Sequence, residues 1–173
     1  ELLERGITDF KAVLANKDKL GLDHPPTAAQ LALVDLEVAG KQYLNRELMK
    51  EELQKWDLKN PLIYLDFETI DSPVPKFPQV RPNQQVPFQY SVEVGSKHFE
   101  YLHDNGADPR PGVIAGLLRD IPKVGSIVAY NKEFEAGRLN ELAEAYPEHA
   151  DALQQMASRL VDPWPVLKKT YFD

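Results

Sequence analysis

The sequence predicts an α/β fold: a mixed sheet flanked by helices and preceded by an N-terminal helical connector. Three observations predict it. Apolar residues recur near helical spacing from the first residues to about position 58. At Asn60-Pro61 that pattern gives way to a short apolar run, a proline-rich stretch and a hairpin signal. Beyond the hairpin, helical segments alternate with short apolar runs, as when helices cross over between strands of one sheet.

In the connector, Leu2, Leu3, Ile7, Phe10, Val13 and Leu14 mark a first helix, with Gly6 as a break and Thr8 as a new cap. Lys17 to Pro26, with Gly21, Pro25 and Pro26, reads as a loop. Thr27 opens a second helix, with Gln30 at capping-box spacing and Leu31, Leu33, Val34, Leu36 and Val38 before Gly40. Asn45 caps a third, carrying Leu48, Met49, Leu53 and Trp56.

The second domain is expected over residues 59–173. Leu62 to Leu65 reads as a strand buried on both faces and leads into Asp66-Phe67-Glu68. Residues 71–87 hold Pro73, Pro75, Pro78, Pro82 and Pro87, a loop long enough to be functional. Phe88 to Val94 and Lys97 to Leu102 flank Gly95-Ser96, a two-residue turn with glycine first. Pro109 and Pro111 open a helix, Ser126 to Tyr130 forms a strand, and Asn131 begins another helix. Pro147 starts one more, reaching about Arg159. Leu160 to Asp162 reads as a brief strand and Trp164 to Lys169 as the start of a last helix.

Composition narrows the function classes. A chain that is 43% hydrophobic and 27% charged can bury a core, so it is not a disordered tail. No apolar run nears the ~20 residues that span a bilayer, and no basic-then-apolar leader opens the chain. With no cysteine, disulfides and thiolate metal sites are excluded. A cytoplasmic protein without membrane contact is expected. The net charge of −7 opposes a broadly basic surface that grips nucleic acid without specificity. Acidic catalytic clusters lower net charge, however, and bound divalent cations restore part of it locally. The chain opens on Glu1 and stops at Tyr171-Phe172-Asp173, and we read it as a fragment of a longer protein.

Two segments carry chemistry. Asp66 and Glu68 are one residue apart at the end of an apolar strand, so both carboxylates point to one face and Phe67 to the other. Neither has an adjacent lysine or arginine, and a hard divalent cation such as Mg²⁺ or Mn²⁺ relieves their repulsion. Two such ions about 4 Å apart promote phosphodiester cleavage. Glu135 lies one helical turn beyond Asn131, just past a second strand. If the two strands run parallel and adjacent, it faces the pair across their carboxyl ends, with Phe134 anchoring the turn in the core. Taken singly, each segment also reads blandly: a solvated strand end, and an exposed acid in a first helical turn that the helix dipole favours.

Asp66-Phe67-Glu68-Thr69 resembles the first motif of the DEDD exonuclease superfamily, and Asn131-Lys132-Glu133-Phe134-Glu135 its second, with glutamate where aspartate is usual. A closer resemblance covers almost the whole chain. The run from Tyr64 to Ile70, Val86-Pro87-Phe88-Gln89-Tyr90-Ser91, Asp108-Pro109-Arg110 and Gly125 to Asn131 with Phe134-Glu135 looks like a bacterial domain of unknown function, number 2779. Leu2 to Thr8 is similar to the helical connector that trails RecB-like or Cas4-like nuclease regions, which often precede that domain.

The resemblance implies a ribonuclease-H-like fold and a 3′–5′ exonuclease-like hydrolase that cuts DNA or RNA with Mg²⁺ or Mn²⁺. It implies Asp66, Glu68 and Glu135 as catalytic and metal-binding residues, supported by Thr69, Asn131 and Phe134. It also implies a RecB/Cas4-like nuclease domain as partner within the full-length chain. DEDD enzymes need a fourth carboxylate on a late helix, and no matching Tyr-x-x-x-Asp or His-x-x-x-x-Asp follows Glu135. Asp162 is the nearest candidate, at a position where related exonucleases carry a non-catalytic aspartate, and Asp162-Pro163 is also good turn chemistry. Arg81 and Lys76 could touch a phosphate, Phe77 or Phe88 could stack a base, and Arg110 and Arg138 could approach the site. His98 and His103 belong to no metal-ligand spacing. The alternative is a catalytically inactive module of the same fold that binds nucleic acid or a partner. A haloacid-dehalogenase-type phosphatase fits less well, since its chemistry needs aspartate where Glu68 stands.

Overall fold

The computed structural model describes residues 9–15, 28–40 and 43–172. The chain forms two compact units: residues 1–55 with 165–173, and residues 56–164.

The first unit contains helices α1 (Phe10–Ala15), α2 (Ala28–Val38) and α3 (Arg46–Gln54). The expected caps at Thr8 and Thr27 and the loop at Lys17 to Pro26 lie outside the described residues. Asp9 accepts the Ala12 N–H at 2.8 Å, and Asn45 accepts that of Leu48 at 3.0 Å, as its position predicts. The sequence pattern misses one feature. Between α2 and α3, strand β1 (Tyr43–Leu44) pairs antiparallel with Tyr171–Phe172 near the chain's end. Two residues carry no periodicity, so this pairing left no trace in the pattern.

The second unit is built on a five-stranded sheet. Its strands are β2 (Leu62–Ile70), β3 (Val86–Val94), β4 (Lys97–Leu102), β5 (Ser126–Val128) and β6 (Leu160–Val161), in the order β4-β3-β2-β5-β6. The first three form an antiparallel meander, while β5 joins β2 in parallel and β6 joins β5 in parallel. The crossovers carry α4 (Arg110–Asp120), then α5 (Glu133–Ala145) and α6 (Ala150–Ser158). This is the α/β, ribonuclease-H-like mixed sheet that the sequence implies. A last helix, α7 (Trp164–Thr170), and strand β7 (Tyr171–Phe172) complete the chain's described elements.

Strand β2 departs from expectation in one respect. It is buried on one face only: Ile63, Leu65 and Phe67 are enclosed, whereas Tyr64, Asp66 and Glu68 are exposed. The sheet fills the core with Ile63, Leu65 and Phe67 of β2, Tyr90 and Val92 of β3, Ile127 of β5 and its partner Leu160 of β6, and Ala129 adds to them just past β5. Buried residues of α4, α5 and α6 join them in one cluster.

Local chemistry sets the joints. Val94 pairs with Lys97, so the hairpin turn is Gly95-Ser96, and Gly95 takes φ +63°, as the first position of a type II′ turn requires. On α4, Gly112 and Gly116 leave room for tyrosines: a Cβ at Gly116 would stand 2.3 Å from the Tyr90 hydroxyl. No helix among the described residues is long and apolar enough to cross a membrane.

Candidate functional site

Strands β2, β5 and β6 run parallel, so their carboxyl ends share one lip, where α/β proteins commonly place their chemistry. Asp66 and Glu68 stand on the exposed face of β2 near that lip. The register slips just beyond them: Glu68 faces Gln89, but Thr69 faces Pro87, which leaves Phe88 as an extra residue on β3. Pro87 has no N–H to donate, so a bulge is the natural accommodation there, and it re-aims the strand end beside the acids. Among the described residues no cation pairs with Asp66 or Glu68.

After β5 the chain turns at Asn131 with φ +57°, a left-handed conformation that asparagine tolerates better than most residues. Its carbonyl accepts the Phe134 N–H at 3.0 Å and α5 begins at Glu133, so Glu135 falls in the first helical turn. Phe134 packs partly buried against the core, with the Arg138 guanidinium 5.2 Å from its ring centroid.

Glu135 is only 2% exposed, and its Oε2 atom is buried without a hydrogen-bond partner. Burial pushes its carboxyl up to about 7. Its own backbone N–H pulls the other way, the charges of Asp66 and Asp162 raise it further, and Arg138 lowers it. Glu135 therefore feels both Asp66 from β2 and Asp162 from the end of β6.

Asp162 has a second task. Its Oδ1 accepts the Asn131 N–H at 3.1 Å and the Trp164 N–H at 2.9 Å. The second bond is the turn chemistry that aspartate before proline predicts. The first ties the β6 end to the turn that presents Glu135.

The arginines are engaged nearby. Arg138 bonds to Glu141 at 2.9 Å and to Gln85, and Arg81 reaches the same Glu141 at 3.3 Å. Together with Asp71 and Asn83 these side chains line an open cleft of about 370 Å³. Arg110 is buried and fully used: it bonds to Asp108 at 2.6 Å and to the Pro78 carbonyl at 2.7 Å, and lies over the Tyr146 ring. It clamps the proline-rich loop to α4. Lys76 is exposed, while Phe77 and Phe88 are partly covered. His98 lies exposed at 3.7 Å from both Glu93 and Glu100, and His103 Nδ1 is 3.1 Å from the Tyr101 hydroxyl.

Sequence reasoning missed Glu141, although its spacing of three from Arg138 on a helix was legible. It also missed Gln85 and the aromatic pair Tyr130 and Trp164, although Tyr130 lies in the run Gly125 to Asn131. The donors at the lip are all carboxylate oxygens, the chemistry a hard divalent cation selects, and one of them is buried without a partner. Among the described residues, however, no three acidic or histidine groups stand close enough to hold one ion together.

No curated protein and no solved structure matches the chain. One family's sequence pattern does, over residues 63–173, from the first core strand through the lip described above. The chain belongs to that family, described as Domain of unknown function (DUF2779).

Proposed function

We propose that this domain is a divalent-metal-dependent nuclease, 3′–5′ exonuclease-like, that hydrolyses phosphodiesters of DNA or RNA. One observation carries the reading. Glu135 is a buried carboxylate with an unpartnered oxygen, and it feels the charges of Asp66 and Asp162. A fold tolerates such a group at a cost in stability, and functional sites are where that cost is commonly met.

Asp66, Glu68 and Glu135 would hold Mg²⁺ or Mn²⁺, which when bound supplies Lewis acidity and offsets charge at the scissile phosphate. Glu135, whose carboxyl burial pushes up to about 7, would give up its proton near neutrality were a cation held there. Asn131 and Asp162 fix the turn from which Glu135 projects, and Thr69 sits at the bulge beside Glu68. Arg138, whose charge reaches Glu135, and Arg81 are both bonded to Glu141 and would meet a phosphate only by leaving it. We further propose that the domain works in the cytoplasm, beside a RecB/Cas4-like nuclease region in the same protein.

The second reading, a non-catalytic module that binds nucleic acid or a partner, has its own support: no three groups at the lip converge on one ion position. Calorimetric titration with Mn²⁺ separates the two. The nuclease reading expects wild-type protein to bind Mn²⁺, with Asp66→Ala and Glu135→Gln each weakening it at least tenfold. It also expects Mn²⁺-dependent release of nucleotides from labelled DNA or RNA. Equal Mn²⁺ binding by all three proteins would remove the lip from the metal site.

A further inference from the structure

An open β-sheet ends in strands whose outer N–H and C=O groups lack partners, and such edges pair with other chains unless something blunts them. The two edges of the five-stranded sheet differ in this respect. Strand β6 is two residues long and runs straight into Asp162-Pro163. Strand β4 is six residues long, holds no proline and keeps an unbroken register with β3 from Lys97 to Leu102. Among the described residues no strand lies on its outer side.

The hairpin's hydrogen bonds fix which groups of β4 face outward. The His103 N–H bonds to the Phe88 carbonyl at 2.9 Å, and Val94 pairs with Lys97 across the turn. Bonded pairs recur at every second residue of an antiparallel ladder, so Lys97, Phe99 and Tyr101 turn their main-chain groups to β3. His98, Glu100 and Leu102 turn theirs away from it. The side chains of His98 and Glu100 are 52% and 74% exposed, and Leu102 is 58% exposed. Phe99 and Tyr101 lie on the other face, partly buried against the core.

A second copy of this strand, laid antiparallel about a two-fold axis, must set outward-facing residues against outward-facing residues. Centred on Glu100, the pairing opposes that carboxylate to its own copy, which is repulsive. Centred on Tyr101, it sets Glu100 against Leu102. Centred on Phe99, it sets His98 against Glu100 of the second copy on both sides of the axis. Within the strand, only this last register matches opposite charges. His98 stands 3.7 Å from Glu93 and from Glu100 of its own chain, too far to hydrogen-bond, so its ring keeps donors for the second copy.

We propose that β4 pairs with β4 of a second copy of this chain, antiparallel and centred on Phe99, so that two sheets become one. The two His98–Glu100 pairs supply about four main-chain hydrogen bonds, and the two Phe99 rings meet on the core side. Strand β3 stands between this edge and β2, so the pairing does not depend on the nuclease reading.

Sedimentation equilibrium of the 173-residue chain tests this at pH ~6, where a histidine is mostly charged, over roughly 10 µM to 1 mM. So narrow an interface is weak, and a dimer that grows with concentration is expected. Glu100→Pro removes an outward N–H and spares the bonds to β3, and it should weaken the dimer about tenfold or more. His98→Glu and Glu100→Lys each bring like charges together and should each weaken it about tenfold. Combined, they restore opposite charges in the same register, and affinity should return to within about threefold of wild type. All these positions are exposed, so the variants remain folded, which circular dichroism checks.

A monomer throughout that range would overturn the pairing, as would a dimer indifferent to Glu100→Pro. A double variant no tighter than the two single ones would overturn the register and the proposal with it.

Discussion

Asp120 and Glu135 are both buried acids on helices of the same unit, yet they live in opposite circumstances. Asp120, at the end of α4, receives Arg119 at 2.7 and 2.8 Å and the Tyr90 hydroxyl at 2.6 Å. Those arginine bonds hold its carboxyl below the usual range, overcoming the effect of burial. Glu135, in the first turn of α5, has an orphan oxygen and two like charges within electrostatic reach. The contrast separates a carboxylate that holds the fold together from one that the fold must hold in place. His103 Nε2 and Arg159 Nε are also buried without a partner, but Glu135 is the one acid so placed among the described residues, which makes the exception informative.

The largest effect should come from breaking the satisfied side. Asp108 and Arg110 form a bidentate pair, with Arg110 also on the Pro78 carbonyl and over Tyr146. Burial acts to raise the Asp108 carboxyl, but the Arg110 bonds win and its pKa falls. Arg110→Ala strips the Pro78 carbonyl of its donor and leaves the half-buried Asp108 carboxylate only the backbone N–H of residue 110 and the Tyr146 hydroxyl, and should cost about 3 kcal/mol in urea unfolding. Arg110→Lys should recover little, because an ammonium supplies neither the fork nor the flat face that stacks on Tyr146.

The next effect has the opposite sign. Glu135 binds its proton more tightly folded, at about 7, than at its ordinary 4.5. Folded protein therefore carries the extra proton between those values, and stability falls as pH rises through about 7. Glu135→Gln should thus be more stable than wild type at pH ~8, by about 2 kcal/mol, and indistinguishable at pH ~4. Asp120→Asn should mirror it. Its folded carboxyl lies below the ordinary 3.8, so its contribution is present above that value and fades as acid titrates the folded form. At neutral pH that variant should lose about 1 kcal/mol, modest because its arginine partner is exposed. Thermal melts of both variants across pH make the test. Parallel curves would erase the distinction between the two acids.

How far the sequence revealed this contrast depends on distance along the chain. The alternation around Phe67 told which way Asp66 and Glu68 point, because period two is a local property of one strand. Asn45 was legible as a cap, and Gly95 as a turn, for the same reason. The burial of β2 was misjudged because a run of four apolar residues looks alike whether one face or two are covered. The tie from Asp162 to Asn131 spans 31 residues and depends on β6 lying beside β5, which no local pattern encodes. The bond between Tyr90 and Asp120, 30 residues apart, was hidden in the same way.

That tie leads to the smallest effect, at the residue before the acidic turn. Asn131 holds φ +57°, where most L-residues meet their own carbonyl, and only its backbone N–H reaches Asp162. If asparagine is there for its backbone, Asn131→Gly should change stability by less than about 0.5 kcal/mol, whereas Asn131→Ala should lose about 1 kcal/mol to strain. Both should keep Mn²⁺ affinity within a few-fold of wild type. Asp162→Asn keeps an oxygen for the two N–H groups and removes only a negative charge, so it should leave the turn intact while lowering the Glu135 carboxyl toward its ordinary range. Carboxyl titration followed by NMR reads that shift directly. An unchanged Glu135 in that variant would mean that Asp162 serves the turn alone, and that burial and Asp66 account for the unusual acid.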